Sequence, residues 1–332
     1  MKVELIGAPF DRCGRHPGSA LGPDAIRFVL EREVRSEQSA WIKQWIGESL
    51  VDLGNVEWRT EPEVGGLKGF PEAMSFYEAL QKMTYESISK GNVPLVIGGD
   101  HSLSIGTVSG AAKAISQRGG KFGLLWIDAH ADLNTPVGSP SGNVHGMPIA
   151  ALLGTKDTVS ASPISEQWRD LIQQFAAPTL SESQVAWIGL RDVDASESDR
   201  IASYSGCFAS TMQDIDRHGI GPVMEAFWTW AERQGITDLY ISFDVDSLDP
   251  VLAPGTGTAV RGGLSYREGH MLAEFLADRL RDDGVNLRLA GLDVVEVNPM
   301  MDSANATAKV AIEWVASLFG KRILSKRPEI GF

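Results

Sequence analysis

Residues 122–132 read FGLLWIDAHAD. The first six are apolar without alternation, and six is too few for a helix of ordinary length. A run of that kind fits a strand buried on both faces, as in a parallel sheet. The chain then leaves the run through two carboxylates and an imidazole at alternate positions: Asp128, His130 and Asp132.

The same pattern repeats outward from this stretch. Pro94–Ile97 is followed by Gly98-Gly99-Asp100-His101-Ser102, and Leu239–Phe243 by Asp244-Val245-Asp246. Further apolar runs occupy Val3–Ile6, Leu50–Leu53, Val185–Ile188 and Leu287–Leu292. Helical segments are expected between them over Pro23–Arg35, Pro71–Lys90, Ser104–Gln117, Pro222–Gln234, Ser265–Arg281 and Ala304–Leu318. Strands alternating with helices give an α/β architecture with helices on both faces of the sheet. Thr155–Ser183, rich in Ser, Thr, Pro and Gln, reads as a surface excursion rather than a domain boundary. No linker or repeat divides the chain, so residues 1–332 read as one domain.

The three clusters have a chemical logic in common. In open α/β sheets, ligands bind outside the carboxyl ends of the strands. Residues two apart in an extended chain point the same way, so Asp244 and Asp246 can face one point, as can Asp128, His130 and Asp132. Four carboxylates gathered there repel one another unless cations lie between them. Carboxylate and imidazole donors without thiolate suit Mn²⁺, Mg²⁺, Fe²⁺ or Zn²⁺. A lone Asp-x-Asp or a lone His is usually structural. Three such clusters, each after a buried strand, are not easily read that way.

Composition excludes other classes. A formal net charge of -13 provides no basic footprint for nucleic acid. Two cysteines, Cys13 and Cys207, make neither a disulfide framework nor a thiolate cage, and they point to a reducing, cytoplasmic compartment. The opening MKVELIGAPFD has no secretory h-region, and no apolar run is long enough to span a membrane.

The motifs GGDHS (98–102), DAHAD (128–132) and SFDVDSLDP (242–250) resemble those of the ureohydrolases, a family that includes arginase, agmatinase, guanidinobutyrase and formiminoglutamase. The likeness runs from IGAPF (6–10) to GLDVVEVNP (291–299) and beyond. It implies a single three-layer domain around a mostly parallel eight-stranded sheet, with two Mn²⁺ per chain at the strand ends. By motif, His101, Asp128, Asp132 and Asp244 would hold one ion. His130, Asp128, Asp244 and Asp246 would hold the other.

The arginase branch fits best. Asn134-Thr135-Pro136 and Ser141-Gly142-Asn143-Val144-His145-Gly146 resemble the loop in which Asn134, Ser141 and Asn143 would bind a substrate α-carboxylate. Gly189-Leu190-Arg191-Asp192-Val193-Asp194 resembles the stretch whose last Asp receives the α-ammonium. Apart from the resemblance, Ser-Gly-Asn is a good turn and Asp194 a good helix cap.

The implied reaction is hydrolysis of L-arginine to L-ornithine and urea by a hydroxide bridging the two ions. Asp132 would orient the nucleophile and Glu296 pair with the guanidinium. His145 would shuttle the proton, and Thr258 would contribute a contact near the site. The same chemistry on another guanidino or amidino compound is the alternative, and a non-catalytic metal-binding relative a more distant one. A homo-oligomer, trimer or hexamer, is the family expectation. The N-terminal loop Asp11-Arg12-Cys13-Gly14-Arg15-His16-Pro17 departs from the pattern in carrying Cys and His near the site mouth. The segment Gly320-Lys321-Arg322-Ile323 departs from the basic stretch that supports trimers in some arginases. His16, His218 and His270 receive no function.

Overall fold

The computed structural model describes residues 2–35, 50–62, 64–157, 162–176, 180–282 and 284–321. In chain order the elements are β1 (Val3–Gly7), α1 (Gly22–Arg35), β2 (Leu50–Asn55), α2 (Glu72–Ser89), β3 (Val93–Ile97) and α3 (Ser104–Gln117). There follow β4 (Phe122–Ile127), α4 (Pro148–Leu152), α5 (Pro163–Phe175), β5 (Val185–Leu190), α6 (Ala195–Ser203), β6 (Phe208–Thr211) and α7 (Met212–His218). The last are α8 (Ile220–Gln234), β7 (Asp238–Asp244), α9 (Tyr266–Arg279), β8 (Arg288–Val295) and α10 (Ala306–Leu318).

All eight strands form one sheet in the order β2-β1-β3-β8-β7-β4-β5-β6. Every pairing is parallel, so "mostly parallel" becomes wholly parallel. The order matters more than the count. After β3 the chain jumps past two vacant places to lay down β4, β5 and β6, and returns to fill the gap with β7 and β8. Strands distant in sequence thereby become neighbours at the centre of the sheet. Register aligns Ile97, Val294, Phe243, Ile127 and Ile188 in one row across β3, β8, β7, β4 and β5. All the clusters read from the sequence lie just beyond that row.

Burial on both faces explains the continuous apolar runs. Leu95, Ile97, Leu125, Ile127, Ile241 and Phe243 belong to one core with Trp228 of α8, Leu272 of α9 and Trp314 of α10. Their strand neighbours Val96, Leu124, Trp126 and Tyr240 belong to a second core with Phe76 and Leu80 of α2, Val108 of α3 and Ile149 of α4. This is the expected three-layer arrangement.

Among the expectations that fail, two fall where the hydrophobic signal is weak. The sequence reading found no strand at Phe208–Thr211. This edge strand has four residues, only Ser210 of which is buried. The supposed surface excursion over Thr155–Ser183 contains α5, which buries Trp168, Leu171 and Phe175 along one side. Its capping box at Ser162 and Ser165 and its Pro at the first turn are ordinary helix-start signals that the polar composition masks. Residues 36–49 and Arg322-Ile323 lie outside the described residues. No described helix is long and apolar enough to cross a membrane.

Candidate metal centre and substrate cleft

Each cluster is delivered by a different turn. After β3, Gly98 and Gly99 carry φ of 114° and 55°, and a Cβ on Gly99 would stand 2.7 Å from the Ala8 carbonyl oxygen. Only glycine allows the chain to reverse so closely there. The reversal places Asp100 as the cap of a 3-10 turn, His101–Leu103. Asp100 also accepts from Cys13 N at 2.8 Å, so it braces the N-terminal loop.

After β4 the chain is bent rather than extended. Asp128 Oδ1 accepts from His130 N at 2.7 Å, and Asp132 has a φ of 51°. Asp244 and Asp246 are likewise on a turn, with Asp246 N donating to Asp244 Oδ1 at 2.7 Å. The expected residues converge, but through side chains folded back on their own backbone. The period-two alternation invoked from the sequence does not operate here.

The result is a tight, buried set of donors. His101 Nδ1 lies 3.0 Å from Asp128 Oδ2, 3.1 Å from Asp132 Oδ2 and 3.1 Å from Asp244 Oδ2. One ring nitrogen carries at most one proton and cannot satisfy three carboxylates. His101 Nδ1 and Asp128 Oδ2 accordingly have no hydrogen-bond partner. Beside them, His130 Nδ1 lies 3.3 Å from Asp128 Oδ1 and 3.2 Å from Asp246 Oδ2. Two ligand groups emerge, His101–Asp128–Asp244 and Asp128–His130–Asp246, with Asp128 in both. Crowded carboxylates and imidazole nitrogens with unspent lone pairs fit a pair of divalent cations.

Electrostatics agree. Burial, then Asp246 and Asp128, push Asp244 well above the usual carboxylate range. Burial and Asp128 raise Asp132 to about 6, and burial and Asp128 raise Asp246. Asp128 is held low, against its own burial, by the imidazoles of His101 and His130. Both imidazoles are raised by these carboxylates despite burial.

Groups raised in the fold hold protons that cations must displace, so metal binding releases protons and strengthens with pH. The sign for the metal-free fold is the opposite. A raised folded-state pKa gives stability that is lost as pH rises. The melting-temperature gap between metal-loaded and chelated protein should therefore widen from about pH 5 to about pH 8. Thermal unfolding of both forms across that range checks this, and a gap independent of pH would contradict it.

Supporting groups lie behind the ligands. His101 Nε2 meets Ser242 Oγ at 2.8 Å, and Ser242 Oγ donates to Asp293 Oδ1. Asp293 also accepts from Ser104 Oγ at 3.0 Å and Thr107 Oγ1 at 2.7 Å. The His101 ring stacks on Trp126 at 4.0 Å. Serine, carboxylate and indole thus fix the ring's orientation and its available nitrogen. Sequence reasoning missed Asp293, although an acid inside a strand buried on both faces must have partners.

Arg191 was missed too. Its guanidinium donates to the carbonyls of Asp246, Ser247, Leu248 and Val260, clamping the turn that carries Asp246. Thr258 Oγ1 donates to Asp246 Oδ2 at 2.7 Å, so its hydroxyl is spent on a ligand carboxylate.

The remaining candidates share a cleft of about 170 Å³ with the candidate metal ligands. Asn134, Ser141, Asn143, His145, Asp194, Thr258 and Glu296 line it together with His101, His130, Asp132 and Asp244. Asp128 and Asp246 lie beneath, almost fully buried. His145 Nδ1 and Glu296 Oε1 are 2.8 Å apart, and Oε1 also accepts from His101 N at 2.9 Å. Glu296 is held at a φ of 62°, a conformation uncommon outside glycine. Burial works against the His145 imidazolium, but Glu296 outweighs it and raises the ring to about 9.

Asp194 is the N-cap of α6, with its own N–H donated to Glu197 Oε2 at 3.0 Å. Its Oδ2 accepts from Asn134 Nδ2 at 2.7 Å. Capping and cleft lining therefore coexist in one side chain. Glu197, also missed, accepts from Leu133 N at 2.9 Å and ties the loop that carries Asp128, His130 and Asp132 to this helix. His270, given no function from the sequence, is buried, with Nδ1 at 2.8 Å from Ser317 Oγ.

Comparisons with known proteins agree with this geometry. The Arginase family model matches residues 1–320. An arginase of Staphylococcus aureus (strain MSSA476) is 36% identical over 324 residues, 97% of this chain and 98% of that protein. The crystal structure of arginase from Bacillus subtilis subsp. subtilis str. 168 superposes with a TM-score of 0.81 at 35% identity, covering 97% of this chain and 99% of that one. Entamoeba histolytica arginase, solved in complex with L-ornithine, gives a TM-score of 0.80 at 26% identity over 96% of this chain and 98% of its own. The chain belongs to the arginase family and is a hydrolase of amidino carbon–nitrogen bonds.

Proposed function

We propose that this protein hydrolyses the guanidinium group of L-arginine to L-ornithine and urea, using two Mn²⁺ held by His101, Asp128, His130, Asp132, Asp244 and Asp246. One observation carries the choice of substrate. Ser141, Asn143 and Asp194, groups suited to the two charged ends of an amino acid, line the same cleft as the metal ligands and Glu296. Agmatine would leave the first two idle, and 4-guanidinobutyrate the third. The likeness to an arginase solved with L-ornithine, the amino-acid product, supports the same reading.

Bound there, two divalent ions supply the charge that ionises water near neutral pH and so provides a nucleophile. The chain's own groups do the rest. Asp132 orients the attacking water by accepting a hydrogen bond. Glu296 has Oε1 engaged by His145 and by His101 N, and its Oε2 takes up guanidinium N–H groups. Glu296, against burial, raises His145, so the ring can hold the proton that it gives to the departing amine. The carbon–nitrogen bond then breaks with a neutral amine as the leaving group. All of this lies within one domain, residues 1–332.

A substrate panel tests the reading. Urea release from arginine, agmatine and 4-guanidinobutyrate with added Mn²⁺, and ammonia or formamide release from amidino analogues, should rank arginine first. The margin over each truncated substrate should be at least about tenfold in kcat/KM, because a polar site left unpaired discriminates strongly. Agmatine ranking first would place the protein on another branch of the family.

A further inference from the structure

The loop Asp11–Pro17 stands at the mouth of the cleft, which its Arg15 lines. Three contacts pin it there. Cys13 N donates to Asp100 Oδ2 at 2.8 Å, and His145 N donates to the Cys13 carbonyl at 3.3 Å. Lys68 Nζ donates to the Gly14 carbonyl and, at 3.2 Å, to Asn143 Oδ1. Gly14 is thereby held against the Asn143 loop, and the next residue, Arg15, lines the cleft alongside Ser139, Ser141 and Asn143.

Arg15 is exposed. Its loop neighbour Arg12 is paired with Glu72 at 3.1 Å, but Arg15 has no ion pair or hydrogen bond among the described residues. The cleft around it is otherwise acidic. Apart from three histidines, the ionisable groups lining it are Asp132, Asp192, Asp194, Glu197, Asp244 and Glu296. Away from the deep end where the candidate metal ligands lie, Arg15 is the one fixed cation among the lining side chains, with Lys68 Nζ standing behind Asn143 at 3.2 Å from its Oδ1. A guanidinium is also the side chain whose planar fork matches a carboxylate.

We propose that Arg15 receives the carboxylate at the far end of the substrate and selects guanidino acids over guanidino amines. This rests on the arginine reading and adds a charged contact to the neutral ones of Ser141 and Asn143. Because Arg15 is exposed, solvent and salt screen the contact.

Steady-state kinetics of the full-length, Mn²⁺-loaded enzyme test it with R15A and R15K on arginine and agmatine, at low and high ionic strength. R15A should raise KM for arginine about three- to tenfold, with a much smaller effect on kcat. The loss should fall more heavily on arginine than on agmatine. Salt should raise the wild-type KM for arginine but move that of R15A little, and R15K should recover part of the loss. An arginine-preferring wild type whose KM ignores R15A, or equal losses on both substrates, would overturn the role of Arg15 alone. A wild type that prefers agmatine would overturn the arginine reading and this role together.

Discussion

Asp128→Asn is expected to lower kcat/KM by about a thousandfold or more, since the charge stabilisation at stake amounts to several kcal/mol. Asp128 is the residue common to both ligand groups. Its Oδ1 accepts from His130 N at 2.7 Å, and its Oδ2 lies 3.0 Å from His101 Nδ1. Asparagine keeps the size and can keep the bond to His130 N. It removes the charge from both groups at once and puts donor hydrogens where a lone pair is needed. Elemental analysis after loading with Mn²⁺ should give fewer than two ions per chain, and the thermal stabilisation on loading should shrink. Circular dichroism should show the fold retained, because relief of like-charge crowding among the carboxylates offsets the lost attraction to His101 and His130. Two ions per chain with undiminished turnover would remove Asp128 from the metal site, and full turnover with one ion or none would sink the binuclear mechanism.

Such a centre was legible in the sequence as a set of residues but not as a geometry. Buried strands announce themselves because both faces must be apolar, so Phe122–Ile127 and Leu239–Phe243 were plain. The acids and histidines that follow stand out against such runs. The sheet order was not legible in the same way. Nothing local in Leu287–Leu292 says that β8 lies between β3 and β7, yet that placement brings Glu296 to His145. Nor does spacing reveal that Asp132 adopts a left-handed conformation or that Asp128 folds back on His130.

Edge elements fail for the opposite reason. β6 presents little apolar surface, so its sequence resembles a loop. Supporting residues are the hardest to read. Arg191 acts through backbone carbonyls brought to it by other segments. Asp293 acts through a serine on a neighbouring strand, and no pattern along a single segment encodes such pairs.

The substitutions with the next largest expected effect concern how the cleft reads the two ends of its substrate. Asp194 both caps α6 and accepts from Asn134, so Asp194→Ala would confuse loss of recognition with loss of a cap. Asp194→Asn keeps a capping oxygen, since asparagine caps as well as aspartate, and loses the charge together with the acceptor that Asn134 Nδ2 uses. If Asp194 receives the α-ammonium, the substitution should lower kcat/KM for arginine by about ten- to a hundredfold, the value of a charge-assisted contact left unmade. Hydrolysis of 4-guanidinobutyrate, which has no ammonium, should suffer much less. Asn143→Ala should give the mirror pattern, with arginine hurt by about tenfold or more and agmatine far less, because only arginine presents a carboxylate. Lys68 keeps its bond to the Gly14 carbonyl in that variant, so the mouth of the cleft stays closed on one side. Comparable losses on all three substrates would mean that Asp194 and Asn143 serve the loops or the metal ligands instead. A selective loss that follows the missing charge would tie each residue to the end of the substrate it faces.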